Sequence, residues 1–277
     1  HKNGTRVSHN PWLGLRTYTE EECLYGRDKD VTALTSIVTN NVATVLFGRS
    51  GIGKSSLLHA GVFPALRSLG NLPVYVRLEH NTSHSYISQV ISAILSVATV
   101  HDRLPKDIPS YGLWDFLHRH DFYDLQGSRV SPVITIDQFE EIFTLPDASH
   151  QGETKRLFEE FADVLNNVKP ERLLKQETEF TIFQHSEIGI DNHAALKIQI
   201  PTTQKLDYKA YDDFRFIISL REDYLCYLER NTSQIPALKV NRYALRALDA
   251  RSAQDVICLP IPGLYSKAQA NEIIDKL

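Results

Sequence analysis

The chain has 277 residues, 42% hydrophobic and 23% charged, the balance of a soluble globular protein with room for one large domain or two small ones. Its 30 basic residues stand against 34 acidic ones, a net charge of −4, and they are scattered, which argues against a nucleic-acid surface. No apolar run approaches membrane-helix length, and the widely spaced Cys23, Cys226 and Cys258 argue against a disulfide framework or zinc knuckle and for a reducing cytosol.

No signal peptide is visible. The chain starts at His1 and has no methionine, so it reads as an internal piece of a longer chain or as a sequence whose methionines were lost. Residues 1–25 form a loop-like lead-in containing Asn10-Pro11-Trp12-Leu13-Gly14-Leu15-Arg16. Asp28 to Asn40 puts Val31, Leu34, Ile37 and Val38 on one helical face. Ala43 to Phe47 is a short apolar run ending at glycine, the pattern of a buried strand, and Lys54 to Arg67 reads as the helix after a glycine-rich loop.

Pro73 to Leu78 is a second strand, followed by an amphipathic helix over His84 to Val100. Pro132 to Ile136 is a third strand and Glu153 to Val168 another helix. Phe214 to Leu220 is a fourth strand, and Asn241 to Leu245 a weaker fifth. Strands alternating with helices predict an α/β fold, a parallel sheet covered on both faces. The stretch 146–211 is too long for a plain connection and reads as an insertion, with strand-like Thr178 to Phe183 and Ala194 to Ile200. A helix from Ala250 stops before Pro260, so the expected domains are the lead-in 1–25, a core 26–248 and the start of a helical lid, 249–277.

Gly48-Arg49-Ser50-Gly51-Ile52-Gly53-Lys54-Ser55 fits the phosphate-loop pattern completely. Such a loop turns backbone N–H groups inward around phosphates, which glycine permits, and the following helix offers its positive end. Lys54 is expected on the β/γ-phosphates and the Ser55 hydroxyl on Mg²⁺, with Ser56 beside it. Val133-Ile134-Thr135-Ile136-Asp137 is an apolar strand ending in an acid, so Asp137 is the second candidate metal holder. The spacing from Asp137 to Glu140 also fits a helix capping box, which is compatible with that role.

ATP hydrolysis needs a carboxylate to activate water. Gln138 occupies the place right after Asp137, so Glu140 or Glu141 substitutes or turnover is slow; a solvated acid at a helix start is equally open for each. Arg221 ends the fourth strand, where a cation can touch a γ-phosphate, its alternative being a salt bridge to Glu222 or Asp223. Gly26-Arg27 can lie across adenine and ribose, one loop role among several. His118, His120, His80 and His84 read as surface residues, and Trp12 and Trp114 as packing anchors.

Pro11-Trp12-Leu13-Gly14-Leu15-Arg16, Leu24-Tyr25-Gly26-Arg27-Asp28, the loop with Gly61-Val62-Phe63-Pro64-Ala65-Leu66-Arg67 after it, Asp137-Gln138-Phe139-Glu140-Glu141-Ile142-Phe143 and Leu220-Arg221-Glu222-Asp223-Tyr224 together resemble the novel STAND NTPase family. These are signal-transduction ATPases related to AAA+ and NACHT modules. The resemblance runs from Asn10 to Pro262, apart from 146–211. It implies an αβα core of strand order 5-1-4-3-2 followed by a helical lid, with Gly26-Arg27 as base-binding segment and Arg221 as sensor. Asp28 stands where the family more often has Glu. Relatives pair an effector with a repeat-built sensor, and many resemble bacterial antiviral defence proteins that assemble into an active oligomer when a trigger lets ATP hold them. The expected ligands are therefore ATP or ADP and Mg²⁺. The expected partners are further copies of the chain and flanking domains, with neither nucleic acid nor membrane.

The leading expectation is a cytoplasmic ATP switch with slow hydrolysis. No Asn-Lys-x-Asp or Leu-Ser-Gly-Gly-Gln string supports a GTPase or an ABC ATPase. A small-molecule kinase and a module that holds nucleotide without turnover stay open, the second because of Gln138.

Overall fold

The structure, a computed structural model, describes residues 12, 14, 16–80, 82–100, 112–144, 148–175 and 214–276. Five strands run parallel: β1 (Ala43–Gly48), β2 (Asn71–Val76), β4 (Arg129–Ile136), β5 (Arg215–Arg221) and β6 (Arg242–Ala244). They lie in the order β2-β4-β5-β1-β6, which is the expected 5-1-4-3-2 when these five alone are numbered. A two-residue β3 (Phe122–Tyr123), absent from the sequence reading, pairs antiparallel with the start of β4.

Helices cover both faces. On one side α1 (Asp28–Asn40) and α2, which runs from Lys54 to Ser68, bury Leu34, Val38, Leu57, Leu58 and Phe63 against Leu46, Val133 and Ile217. On the other, α3 (Tyr86–Val97), α4 (Leu113–Arg119) and α5 (Ala148–Leu165) bury Ile87, Ile91, Phe116 and Phe161 against Val45, Ile134, Phe216 and Ile218. Adjacent residues of one strand thus feed opposite cores, as the pleat requires. Fully buried strands explain why β1 and β5 read as continuous apolar runs.

Helix α2 is Lys54–Leu57, a π turn over Leu58–Val62 and a last stretch Phe63–Ser68. Pro64 has no N–H to give the preceding turn, and the ladder loosens where it would have been interrupted. Ser85 caps α3 by accepting the Ser88 N–H at 3.2 Å, so the helix starts two residues later than its periodicity suggests.

The expected insertion divides. Helix α5 belongs to the core through Leu157, Phe158, Phe161 and Val164. The strand-like segments within 176–213 lie outside the described residues. After β5 come the short helices α6 (Leu225–Asn231) and α7 (Ala237–Val240), then β6, α8 (Ala250–Cys258) and α9 (Lys267–Ile274). The Asp249 side chain caps α8 and Ser266 with Gln269 forms a capping box on α9. Two expectations are corrected. His118 and His120 are buried, not on the surface, His118 stacking on Trp114 with ring centroids 4.0 Å apart. Asp137 starts no capping box, because its side chain is engaged elsewhere and Gln138 opens the next turn without a side-chain cap.

Candidate functional site

Register brings the site together. Gly48 at the end of β1 pairs with Arg221 at the end of β5, and Val76 of β2 with Ile136 of β4, just before Asp137. The carboxyl ends of parallel strands on either side of a change in strand order form a crevice, the usual ligand position in such sheets. Here it is a cleft of about 380 Å³, within the range of small-molecule sites.

The loop from Gly48 to Lys54 has the backbone that its glycines allow. Gly51 and Gly53 take φ of 73° and 97°. Gly48 needs its hydrogen for another reason: a Cβ there would lie 2.6 Å from the Leu245 carbonyl oxygen. Lys54 folds back so that Nζ donates to the carbonyls of Gly48 at 3.0 Å and Arg49 at 3.1 Å. Burial pushes its pKa down, while the Glu140 and Asp137 carboxylates oppose that fall. Ser50, Gly51, Ile52, Gly53, Lys54, Ser55 and Ser56 line the cleft, whereas the Arg49 side chain stands outside, 3.8 Å from Glu222.

The Ser55 hydroxyl donates to Asp137 Oδ2 at 2.6 Å. The Asp137 backbone N–H is tied to the Val76 carbonyl at 2.9 Å, and the phenol of Tyr75 donates to the same Oδ2 at 3.2 Å. Oδ1 of Asp137 is buried with no hydrogen-bond partner among the described residues. An orphaned buried carboxylate oxygen beside a serine hydroxyl suits a hard cation. Among the described residues no group of three or more His, Cys, Asp or Glu could hold a metal. Mg²⁺ needs no such group when phosphate oxygens and water complete its shell, so the pair Ser55 and Asp137 fits it.

Gln138 follows in the left-handed region, φ 53°, uncommon for a side chain of its size and a form of strain that clusters at functional sites. The two glutamates part ways. Glu140 lines the cleft and its Oε2 accepts the Arg221 backbone N–H at 3.2 Å, whereas Glu141 pairs with Arg77. Arg221 also lines the cleft, but its guanidinium pairs with Asp223 and lies 5.6 Å from the centre of the Tyr224 ring.

Arg27 borders the cleft with its guanidinium held by protein acceptors: Asp30 at 2.9 Å, the Arg246 carbonyl at 2.8 Å and the Ile52 carbonyl at 3.1 Å. Gly26 sits against α8, where a Cβ would come within 2.4 Å of the Ser252 carbonyl oxygen. Two further walls escaped sequence reasoning. The lead-in crosses the loop helix, Tyr18 N–H donating to Ser56 Oγ at 3.2 Å. From the segment after β6 come Leu248, Val256 and Pro260, and Trp12 bridges both walls by donating to the Val256 carbonyl at 2.9 Å.

A family profile described as novel STAND NTPase 1 matches residues 11–275. The chain belongs to that family. This STAND protein is thus a nucleotide-binding P-loop protein with the parallel sheet such proteins use. It matches none of the curated proteins. Among solved structures it is similar to the Aeropyrum pernix ORC2 protein in ADPNP–ADP complexes, at 14% identity over 91% of this chain and 53% of that one, TM-score 0.44. It is also similar to the Aeropyrum pernix ORC1 protein in complex with DNA, at 15% identity over 95% of this chain and 54% of that one, TM-score 0.44. The STAND chain spans about half the length of each, and the nucleotides and DNA of those complexes are properties of those proteins. Among its described residues no helix is long and apolar enough to cross a membrane.

Proposed function

We propose that this chain is the ATP-binding switch of a STAND-type regulator, one that holds ATP with Mg²⁺, hydrolyses it slowly and controls the assembly of a linked effector. The observation that carries this reading is the cleft itself: core, lead-in and lid all line it, so a bound nucleotide touches all three. A ligand that contacts two movable segments differently in its tri- and diphosphate forms biases their arrangement. From the likeness to other STAND regulators we extend the reading to self-assembly, flanking effector and sensor domains and bacterial anti-phage defence in the cytoplasm, with no direct contact to nucleic acid.

In this reading the amides between Gly48 and Ser55 cradle the phosphates and Lys54 supplies positive charge to the β/γ oxygens. Ser55 and Asp137 hold Mg²⁺, which when bound neutralises charge shared by those oxygens. Arg221 exchanges its partner Asp223 for the γ-phosphate, and Glu140 orients water. Leu24, Val256 and Pro260 offer an apolar wall for the base. A second reading has one specific support: among the described residues Glu140 accepts the Arg221 N–H through Oε2 and Glu141 is paired with Arg77, so both candidate glutamates already hold protein partners, and the chain holds nucleotide without turnover.

The test is nucleotide titration of wild type and Lys54→Ala by calorimetry, with phosphate release in parallel. Loss of ATP affinity by about a hundredfold, ~2.7 kcal/mol, with an unchanged circular-dichroism spectrum is expected. Equal affinity in the two proteins removes the phosphate assignment. Phosphate release that disappears in Glu140→Gln separates the switch with turnover from the holding module.

A further inference from the structure

Asp137 is held from β2 as well as from the phosphate loop. Tyr75 donates its phenol to Asp137 Oδ2, the oxygen already bound by Ser55, and both bonds on one oxygen leave Oδ1 for the metal. The ring is itself braced. His59 lies 4.5 Å from it, centroid to centroid, and Phe63 lies 6.4 Å away. His59 sits in the π turn of α2, where Gly61 brings the helix so close to α1 that a Cβ would lie 2.4 Å from Val31 Cγ2. Two residues beyond Tyr75, just past the end of β2, Arg77 pairs with Glu141. Tyr75 and the residue just after β2 therefore grip both ends of the segment from Asp137 to Glu141.

We propose that Tyr75 is a positioning residue that fixes the Asp137 carboxylate for Mg²⁺, backed by His59 from the π turn. The inference rests on the assignment of Ser55 and Asp137 to Mg²⁺. Tyr75 touches neither metal nor nucleotide in this scheme; it sets which oxygen faces the cleft. Partners that orient a metal ligand weigh on metal affinity without contributing a bond to the metal.

The experiment titrates Mg²⁺ into the chain with ATP present and reads the Mg²⁺ concentration at half-maximal ATP binding, for wild type, Tyr75→Phe and Asp137→Asn. ADP binding in EDTA is measured alongside. Tyr75→Phe keeps the ring and its packing but removes the hydroxyl. A rise of about tenfold in the Mg²⁺ midpoint is expected, with metal-free ADP affinity unchanged. A midpoint equal to wild type in Tyr75→Phe, while Asp137→Asn raises it, overturns the positioning role and leaves the metal assignment standing. Equal midpoints in all three proteins overturn both. A fall in metal-free ADP affinity that matches the fall with Mg²⁺ means a general structural role and also overturns it.

Discussion

Arg27 and Ile52 are joined at the edge of the cleft: the Arg27 guanidinium donates to the Ile52 carbonyl, inside the phosphate loop, at 3.1 Å. The same group holds the Arg246 carbonyl, in the segment that leads to α8, and Asp30, whose other oxygen accepts the Tyr243 hydroxyl at 2.6 Å. With Arg27 only 8% exposed, one buried cation stitches α1, the loop and the segment that leads to α8.

Replacing Arg27 therefore tests the stitch. Arg27→Ala leaves a partly buried carboxylate and two carbonyls without their donor, and a loss of about 2–3 kcal/mol in urea unfolding is expected. Arg27→Lys restores little, because a single ammonium lacks the forked donors that reach three acceptors. Stability within about 0.5 kcal/mol of wild type in Arg27→Ala contradicts the account.

Arg221 and Asp223 form an exposed pair, with side chains 40% and 52% accessible, and such pairs hold weakly in water. A phosphate can replace the aspartate. Arg221→Ala is expected to keep ADP affinity and lose the preference for ATP over ADP. An ATP-to-ADP affinity ratio unchanged from wild type, measured by calorimetry in Mg²⁺, counts against the sensor role.

Gly26 takes φ of 72° and sits against the Ser252 carbonyl of α8. Gly26→Ala adds strain of about 1–3 kcal/mol and a clash that α8 must move to relieve. Limited proteolysis is expected to cut the 247–263 region several-fold faster, with weaker ATP binding. Identical cleavage rates mean that α8 does not lean on this glycine.

Stability falls on acidification through two histidines. Burial pushes the pKa of His59 and of His118 below the ordinary 6.5. The unfolded chain then takes up protons before the folded one, so their contribution is complete above about pH 6.5 and shrinks as the pH drops below it. Urea unfolding at pH 7 and pH 5 is expected to show that slope, and His59→Gln to flatten it in part. A slope identical in the variant refutes the assignment for His59.

Much of the fold was legible because its signals are local. The apolar run Ala43 to Phe47 ending in Gly48-to-Ser55, and the run Val133 to Ile136 ending in Asp137, each carry strand, turn and chemistry within a dozen residues. Helix α4 was missed for a physical reason: it is only seven residues long, and its polar positions Asp115 and His118 are buried by partners distant in sequence, Arg172 and Asn167, so no solvent-facing stripe marks it. The capping box at Asp137 failed because Ser55, 82 residues away, and Tyr75, 62 residues away, claim the same carboxylate. Nothing local to Asp137 announces either partner.

By itself the sequence determined the alternation of strands and helices, the phosphate loop and its family, since hydrophobic period and glycine placement act over a few residues. Only the tertiary structure decided that Glu140 faces the cleft while Glu141 turns to Arg77, and that Arg27 is spent on the Ile52 and Arg246 carbonyls. It also decided that Trp12 and Val256 close the site from two ends of the chain. Those choices depend on which polar groups meet once distant segments are packed together, and each is settled by the need to pair buried donors and acceptors, a constraint that exists only in the folded chain.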